Sequence, residues 1–207
     1  MTISFPLALP KTPSSIVFCG DSQTGESESP FSFSQQTYEW PADRWLATLS
    51  WSILNRVNAD DVEGFILSLR GRVGSFLMGD PLRTSARGTW LGQSPLVNGA
   101  SQTGFTLAID GLTPTTTTGI KGDYFQLGTG ATSRLYRLTA PFTANGSGQA
   151  TLDFWPRLRE IPADNAALTL SSARGLFKLN TNRRSWTIQD DLDSDISIDC
   201  IEDLRGL

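Results

Sequence analysis

The residue types that carry most enzyme chemistry are thin in this sequence, and one is missing. Among its 207 residues there is no histidine. That removes Ser-His-Asp and Cys-His nucleophilic catalysis, histidine-ligated zinc and histidine-type pH switching. The two cysteines, Cys19 and Cys200, lie near opposite ends of the chain and cannot build a cysteine-rich metal site. In a reducing compartment they read as buried free thiols. No Walker A motif is present, and Gly128 to Gly130 is too short for a dinucleotide fingerprint. Carboxylates remain. Asp190, Asp191, Asp193, Asp195, Asp199, Glu202 and Asp203 form an acidic run near the C-terminus. Two of them facing a sugar would make a glycosidase pair. The plainer reading is an acidic, solvated edge that discourages strand addition. The run also lacks the glycine-centred loop of an EF-hand. The expectation is a non-enzyme with no catalytic residue, no cofactor and no metal.

Six tryptophans are the other candidates. Trp45 and Trp51 share the apolar side of a strand pattern, and Trp186 begins another, so all three read as core. Trp40 stands beside Pro41 at a strand end. Trp90, in an irregular segment, and Trp155, before Pro156, are the better candidates for a contact between domains or subunits. On an exposed surface the same two rings would suit a carbohydrate-binding module.

The elements that must hold these residues are mostly strands. Apolar residues make up 39 % and charged residues 18 %, against roughly 45–50 % and about 25 % in ordinary domains. Ser, Thr, Gly and Pro fill the difference, which favours many short strands joined by turns. Trp45 to Leu54 alternates with one wholly apolar face, the mark of a strand on a core. Ile16 to Cys19, Phe31 to Trp40 and Phe76 to Pro81 are further strand candidates, and Gly20 to Pro30 reads as an exposed loop. Val62, Phe65, Ile66 and Leu69 fall at helical spacing. Asn58 is the expected cap, Asp60, Asp61 and Glu63 the acidic first turn, and Gly71 the stop. Gly64 would suit a close backbone neighbour.

After Asn98 the pattern is β only. Phe105 to Ile109, Tyr124 to Leu127, Leu135 to Leu138 and Ala150 to Trp155 are strands. Asn145 to Gly148 is a turn signal, and Thr113 to Gly119 a polar loop. Gly175 to Leu179, Trp186 to Asp190 and Ile196 to Ile201 close the chain. The first strands are too few for a sandwich, and the last have no partners of their own. The simplest fold joins the two ends. The predicted class is mainly β: a β-sandwich with one short helix built from 1–88 together with 172–207, and a small inserted barrel or sandwich over 89–171.

The net charge of −4, with scattered basic residues, argues against a nucleic-acid binder. No stretch reaches the roughly 18–20 apolar residues that span a bilayer, and Met1 to Pro13 lacks the basic region of a signal peptide. Synthesis in the cytoplasm is expected.

One longer pattern resembles a known family. Tyr38, Trp40 and Trp45 are followed by the short helix Ala59 to Leu69. The run Leu69 to Pro81, with its glycine-rich approach to Phe76 and to Gly79-Asp80-Pro81, comes next. This is similar to the ring, or belt, domain of distal tail proteins of long-tailed, siphovirus-like bacteriophages. The stretches Gly122 to Leu127, Arg134 to Leu138 and Gly148 to Arg159 resemble phage tail β modules. The resemblance implies a sandwich made from both chain ends with an OB-like or galectin-like insert. It implies a homohexameric ring in the virion tail, between the tail tube and the tail tip or baseplate hub. Its partners would be its own copies, the tail-tube protein, tip and hub proteins and the tape-measure protein. DNA would pass through the lumen without specific binding. Another phage tail or baseplate β-module, or a carbohydrate-binding module, are the competing readings.

Overall fold

The structure, a computed structural model, describes residues 4–188 and 194–205. A short β1 (Leu7–Ala8) precedes β2 (Ser15–Asp21). The hairpin of β3 (Thr24–Glu28) and β4 (Gln35–Glu39) then leads into the long β5 (Arg44–Leu54), α1 (Arg56–Ser68) and β6 (Ser75–Met78). The middle of the chain supplies β7 (Leu96–Val97), β8 (Thr106–Asp110), β9 (Thr118–Gly119), β10 (Tyr124–Leu127), β11 (Arg134–Leu138), β12 (Phe142–Thr143) and β13 (Ala150–Trp155). The chain returns through β14 (Gly175–Leu179), β15 (Thr187–Ile188) and β16 (Ser194–Glu202).

The first sheet runs β1-β6-β14-β16-β5-β2, with β15 beside β16. Its middle therefore joins strands from opposite chain ends: β16 and β5 pair antiparallel, Ile198 opposite Leu49 and Cys200 opposite Ala47. The second sheet, β10-β11-β13-β8-β7, comes wholly from the middle of the chain, with β9 and β12 as a separate pair. The expected class holds: mainly β, one helix, a sheet from both chain ends and a barrel-like insert.

The alternation in β5 decides which side of the first sheet is dry. Trp45, Ala47, Leu49 and Trp51 are buried, while Leu46, Thr48 and Ser50 are half-buried and Ser52 is exposed. Helix α1 lays Ala59, Val62, Phe65, Ile66 and Leu69 on the dry side, with Phe65 edge-on to Phe76 at 5.5 Å. Each large side chain removed from water there stabilises by roughly 1.5–3 kcal/mol.

The helix begins earlier than its stripe suggests. Asn55, not Asn58, is the cap, and its side chain accepts a bond from the Asn58 N–H. With the start moved back, Asp60 lies beyond the first turn and pairs with Arg56 at 2.7 Å. Nothing packs against Gly64, so no close backbone explains that glycine. The helix stops as expected: Arg70 and Gly71 both take positive φ, where glycine carries no Cβ penalty.

The second core gathers Trp90, Phe125, Tyr136 and Phe154 around Leu107, Ile109 and Leu152. Two expected loops are ordered. Within the threonine run, Thr117 is fully buried; its hydroxyl donates to the Thr113 carbonyl and accepts from Gln93. Gly119 lies under the Phe142 ring, where a Cβ would clash. The stretch from Gly20 to Pro30 contains β3; its polar residues give no apolar face to mark a strand.

Cys200 is buried and Cys19 exposed, both as free thiols. Cys19 pairs in register with Leu46 and Cys200 with Ala47. They flank β5 roughly 10 Å apart and face opposite sides of the sheet, so no disulfide can join them. Burial raises the Cys200 thiol pKa, which keeps it inert. Among the described residues no helix is long and apolar enough to cross a membrane.

Candidate functional site

Two regions concentrate polar and aromatic side chains: the seam between scaffold and insert, and the β3–β4 hairpin.

At the seam the Trp45 indole N–H donates to the Leu135 carbonyl at 2.9 Å. Trp155, at the end of β13, meets Trp45 edge to face at 4.5 Å. Its ring lies over Gly20, where a Cβ would come within 2.9 Å, and its indole N–H donates to Ser22. Trp155 thus stands where the insert meets the scaffold. Arg159 grips Glu202 with two bonds, of 3.1 and 2.6 Å, and Glu202 also accepts the Trp45 backbone N–H. Arg134 donates to the Asp203 carbonyl. Such charge-assisted, bidentate bonds hold geometry well.

Trp90 is placed differently from Trp155. It is fully buried within the insert's own core, edge-on to Phe142, and its indole N–H donates to Asp123. Asp123, also fully buried, further accepts from the Arg87 backbone and side chain. Trp90 therefore cannot serve as a subunit contact or stack a sugar. It fills the core because the irregular segment around it folds inward onto β10 and β12.

The acidic run divides. Asp190, Asp191 and Asp193 lie outside the described residues. Asp199 accepts a bond from Thr48. Glu202 and Asp203 are 3 % and 2 % exposed, and β16 lies inside the sheet rather than on its rim. Asp195 and Asp199 are exposed, as the solvated reading expects, but for Glu202 and Asp203 that reading is corrected: these two carboxylates end a central strand and are neutralised by Arg159, Arg205 and Lys178. Burial acts to raise the Asp203 carboxyl, but the Arg205 hydrogen bonds and the Lys178 charge outweigh it and hold its pKa below the ordinary range. Tyr136, whose hydroxyl accepts from the Arg159 N–H, is pushed up to about 12 by burial. Phenol and carboxylates here serve as ties, and Glu202 has both oxygens engaged. Among the described residues no cluster of three or more Cys, Asp or Glu is arranged to hold a metal ion.

No model of a known protein family matches the chain, and no curated protein matches it. What the chain does must follow from its own geometry.

The hairpin is the reverse of the seam. Register puts Tyr38 opposite Gly25, and Glu39 opposite Thr24. One side then carries Tyr38 and Trp40, and the other Glu26, Glu28 and Glu39. Trp40 lies across Gly25, its ring nitrogen 3.2 Å from where a Cβ would be. Phe31 is 96 % and Phe33 74 % exposed at the tip, and Tyr38 and Trp40 are about 60 % exposed. The tip closes through the Ser29 N–H to the Ser34 carbonyl and the Phe33 N–H to the Ser29 carbonyl. A two-stranded hairpin is marginal in water by itself. Sequence reading singled out none of these four rings as a contact. The available signal was aromatics recurring in a polar Ser/Gln stretch with too few apolar residues for a core.

Proposed function

We propose that this chain is a structural virion protein that forms a ring at the distal end of a phage tail tube and joins the tube to the tail tip or baseplate hub. The observation that carries this reading is the architecture. A sheet whose central strands come from opposite chain ends bears one helix, and a half-barrel inserted between those ends is tied to it by buried polar bonds. That is the arrangement the resemblance to distal tail proteins implies. A rigid two-part body suits a protein whose work is done by its rims. Closed rings need unlike surfaces that meet head to tail, and the exposed aromatic hairpin supplies one such surface.

In this reading the chain has no catalytic role, and its partners are its own copies, the tail-tube protein, the tip or hub proteins and the tape-measure protein. Its acidic balance would give DNA passing the lumen little to hold. The test is the mass of the purified protein in solution, followed by class averages of the particles. A discrete oligomer, six copies on the resemblance, with an open centre is expected. A protein that stays monomeric up to the highest attainable concentration would overturn the proposal.

A further inference from the structure

We infer that the β3–β4 hairpin of one copy seats on the arginine-rich end of helix α1 in a second copy. The inference rests on the reading of the chain as self-assembling, and it names the two surfaces that meet.

The first surface is the hairpin. From Ser22 to Ala42 it carries Glu26, Glu28 and Glu39 and no Lys or Arg; Glu39 pairs with Arg157 of the insert at 3.3 Å, so Glu26 and Glu28 are the carboxylates it offers. Phe31 and Phe33 crown its tip, next to Glu28 at the end of β3, while Tyr38 and Trp40 stand on the side away from the glutamates. Side chains of that kind bury about 150–250 Å² each, so the two tip rings supply roughly half of the about 800 Å² a standard interface takes from one partner. None of the described residues covers the Phe31 and Phe33 tip, and a hairpin without a core needs a partner to gain stability.

The second surface has the opposite charge and a matching apolar share. Past the end of α1, Arg70 and Arg72 are exposed, with Leu67 at 54 % and Val73 at 62 % exposure beside them. The connection after β14 brings Arg183 and Arg184 to the same place. The Arg184 side chain donates to the Ile66 carbonyl, and the Asn182 side chain accepts the Arg72 N–H. None of these four arginines forms an ion pair among the described residues. Guanidinium groups beside apolar side chains are suited to aromatic rings and carboxylates alike.

Placement fits a head-to-tail contact. The hairpin leaves the sheet between β2 and β5, at the β2 rim, while α1 leads into β6, next to the β1 rim. The two surfaces thus lie toward opposite rims of one sheet. Unlike surfaces on opposite rims propagate from copy to copy and close a ring when the rotation allows.

Three variants test the pairing, read by sedimentation or mass photometry across a concentration series. Phe31→Ala/Phe33→Ala and Arg70→Glu/Arg72→Glu are each expected to raise the concentration for half-assembly by roughly tenfold or more. Their melting temperatures should stay near that of the parent, since all four residues are exposed. Adding Glu26→Arg/Glu28→Arg to Arg70→Glu/Arg72→Glu reverses both surfaces in one chain and should restore much of the assembly. A parent that assembles while the first two variants assemble equally well overturns this inference and leaves the ring reading standing. Failure of the doubly reversed chain to recover counts against the charge pairing specifically. A parent that never assembles overturns both readings together.

Discussion

At the seam, Trp45 and Trp155 meet edge to face and Arg159 closes on Glu202. In the hairpin, Tyr38 and Trp40 stand in water with Glu26 and Glu28 on the other side. The residue types are nearly the same. What differs is burial against a partner: Glu202 is enclosed between an arginine and a backbone N–H, whereas Glu28 meets only the exposed Gln35 amide of its own hairpin. A buried carboxylate is tolerable only when its lone pairs are taken, and Glu202 meets that condition through one arginine and one backbone N–H. The hairpin meets no such condition because it is not buried. One region is a finished interface and the other has the composition of an unfinished one.

The sharpest way to break that comparison is to remove one partner at the seam. Arg159→Ala leaves Glu202 buried without its counter-charge, and a loss of about 3–5 kcal/mol is expected from urea unfolding. A loss below about 1 kcal/mol would mean that water reaches Glu202 and the seam is looser than its geometry. Next in size is Phe65→Ala on α1, at roughly 2–5 kcal/mol. A change under about 0.5 kcal/mol there would show that the helix stripe adds little to the first core.

The two regions were also unequally legible in the sequence. Helix α1 and strand β5 could be read because their apolar residues repeat at 3.6 and at 2. The seam could not. Arg159 and Glu202 are 43 positions apart, and Trp45 and Glu202 are 157 apart. Local spacing carries no trace of such pairs. Carboxylates crowded near a C-terminus look solvated until β16 is placed between β14 and β5, and that placement comes from tertiary pairing. Trp90 misled for a related reason: its segment has no period, yet it folds inward because Asp123 takes the indole N–H. The hairpin escaped because β3 and β4 are both polar and lie on no core.

A pH experiment probes the seam more gently. The folded pKa of Asp203 lies below its unfolded value of about 3.9. Its contribution is therefore complete above that value and is lost as pH falls through the folded pKa. The stability gap between the parent and Asp203→Asn should be full at about pH 6 and close toward about pH 2. A gap that does not change across that range would mean the carboxylate is not what Arg205 and Lys178 recognise.

The smallest expected effect lies in the hairpin and bears most directly on the comparison. In dilute, monomeric protein, Phe31→Ala/Phe33→Ala should change unfolding stability by less than about 0.5 kcal/mol. The same truncation at Trp155, which is half-buried against Trp45 and Gly20, should cost roughly 2–3 kcal/mol, short of the 3–5 of a fully buried ring. Both substitutions remove aromatic surface of similar kind, so chemistry cannot explain a difference between them. Only the presence or absence of a partner within the chain can. Equal losses at the two sites would show that the hairpin tip finds contacts of its own in the isolated protein, and the contrast between finished and unfinished surfaces would fail.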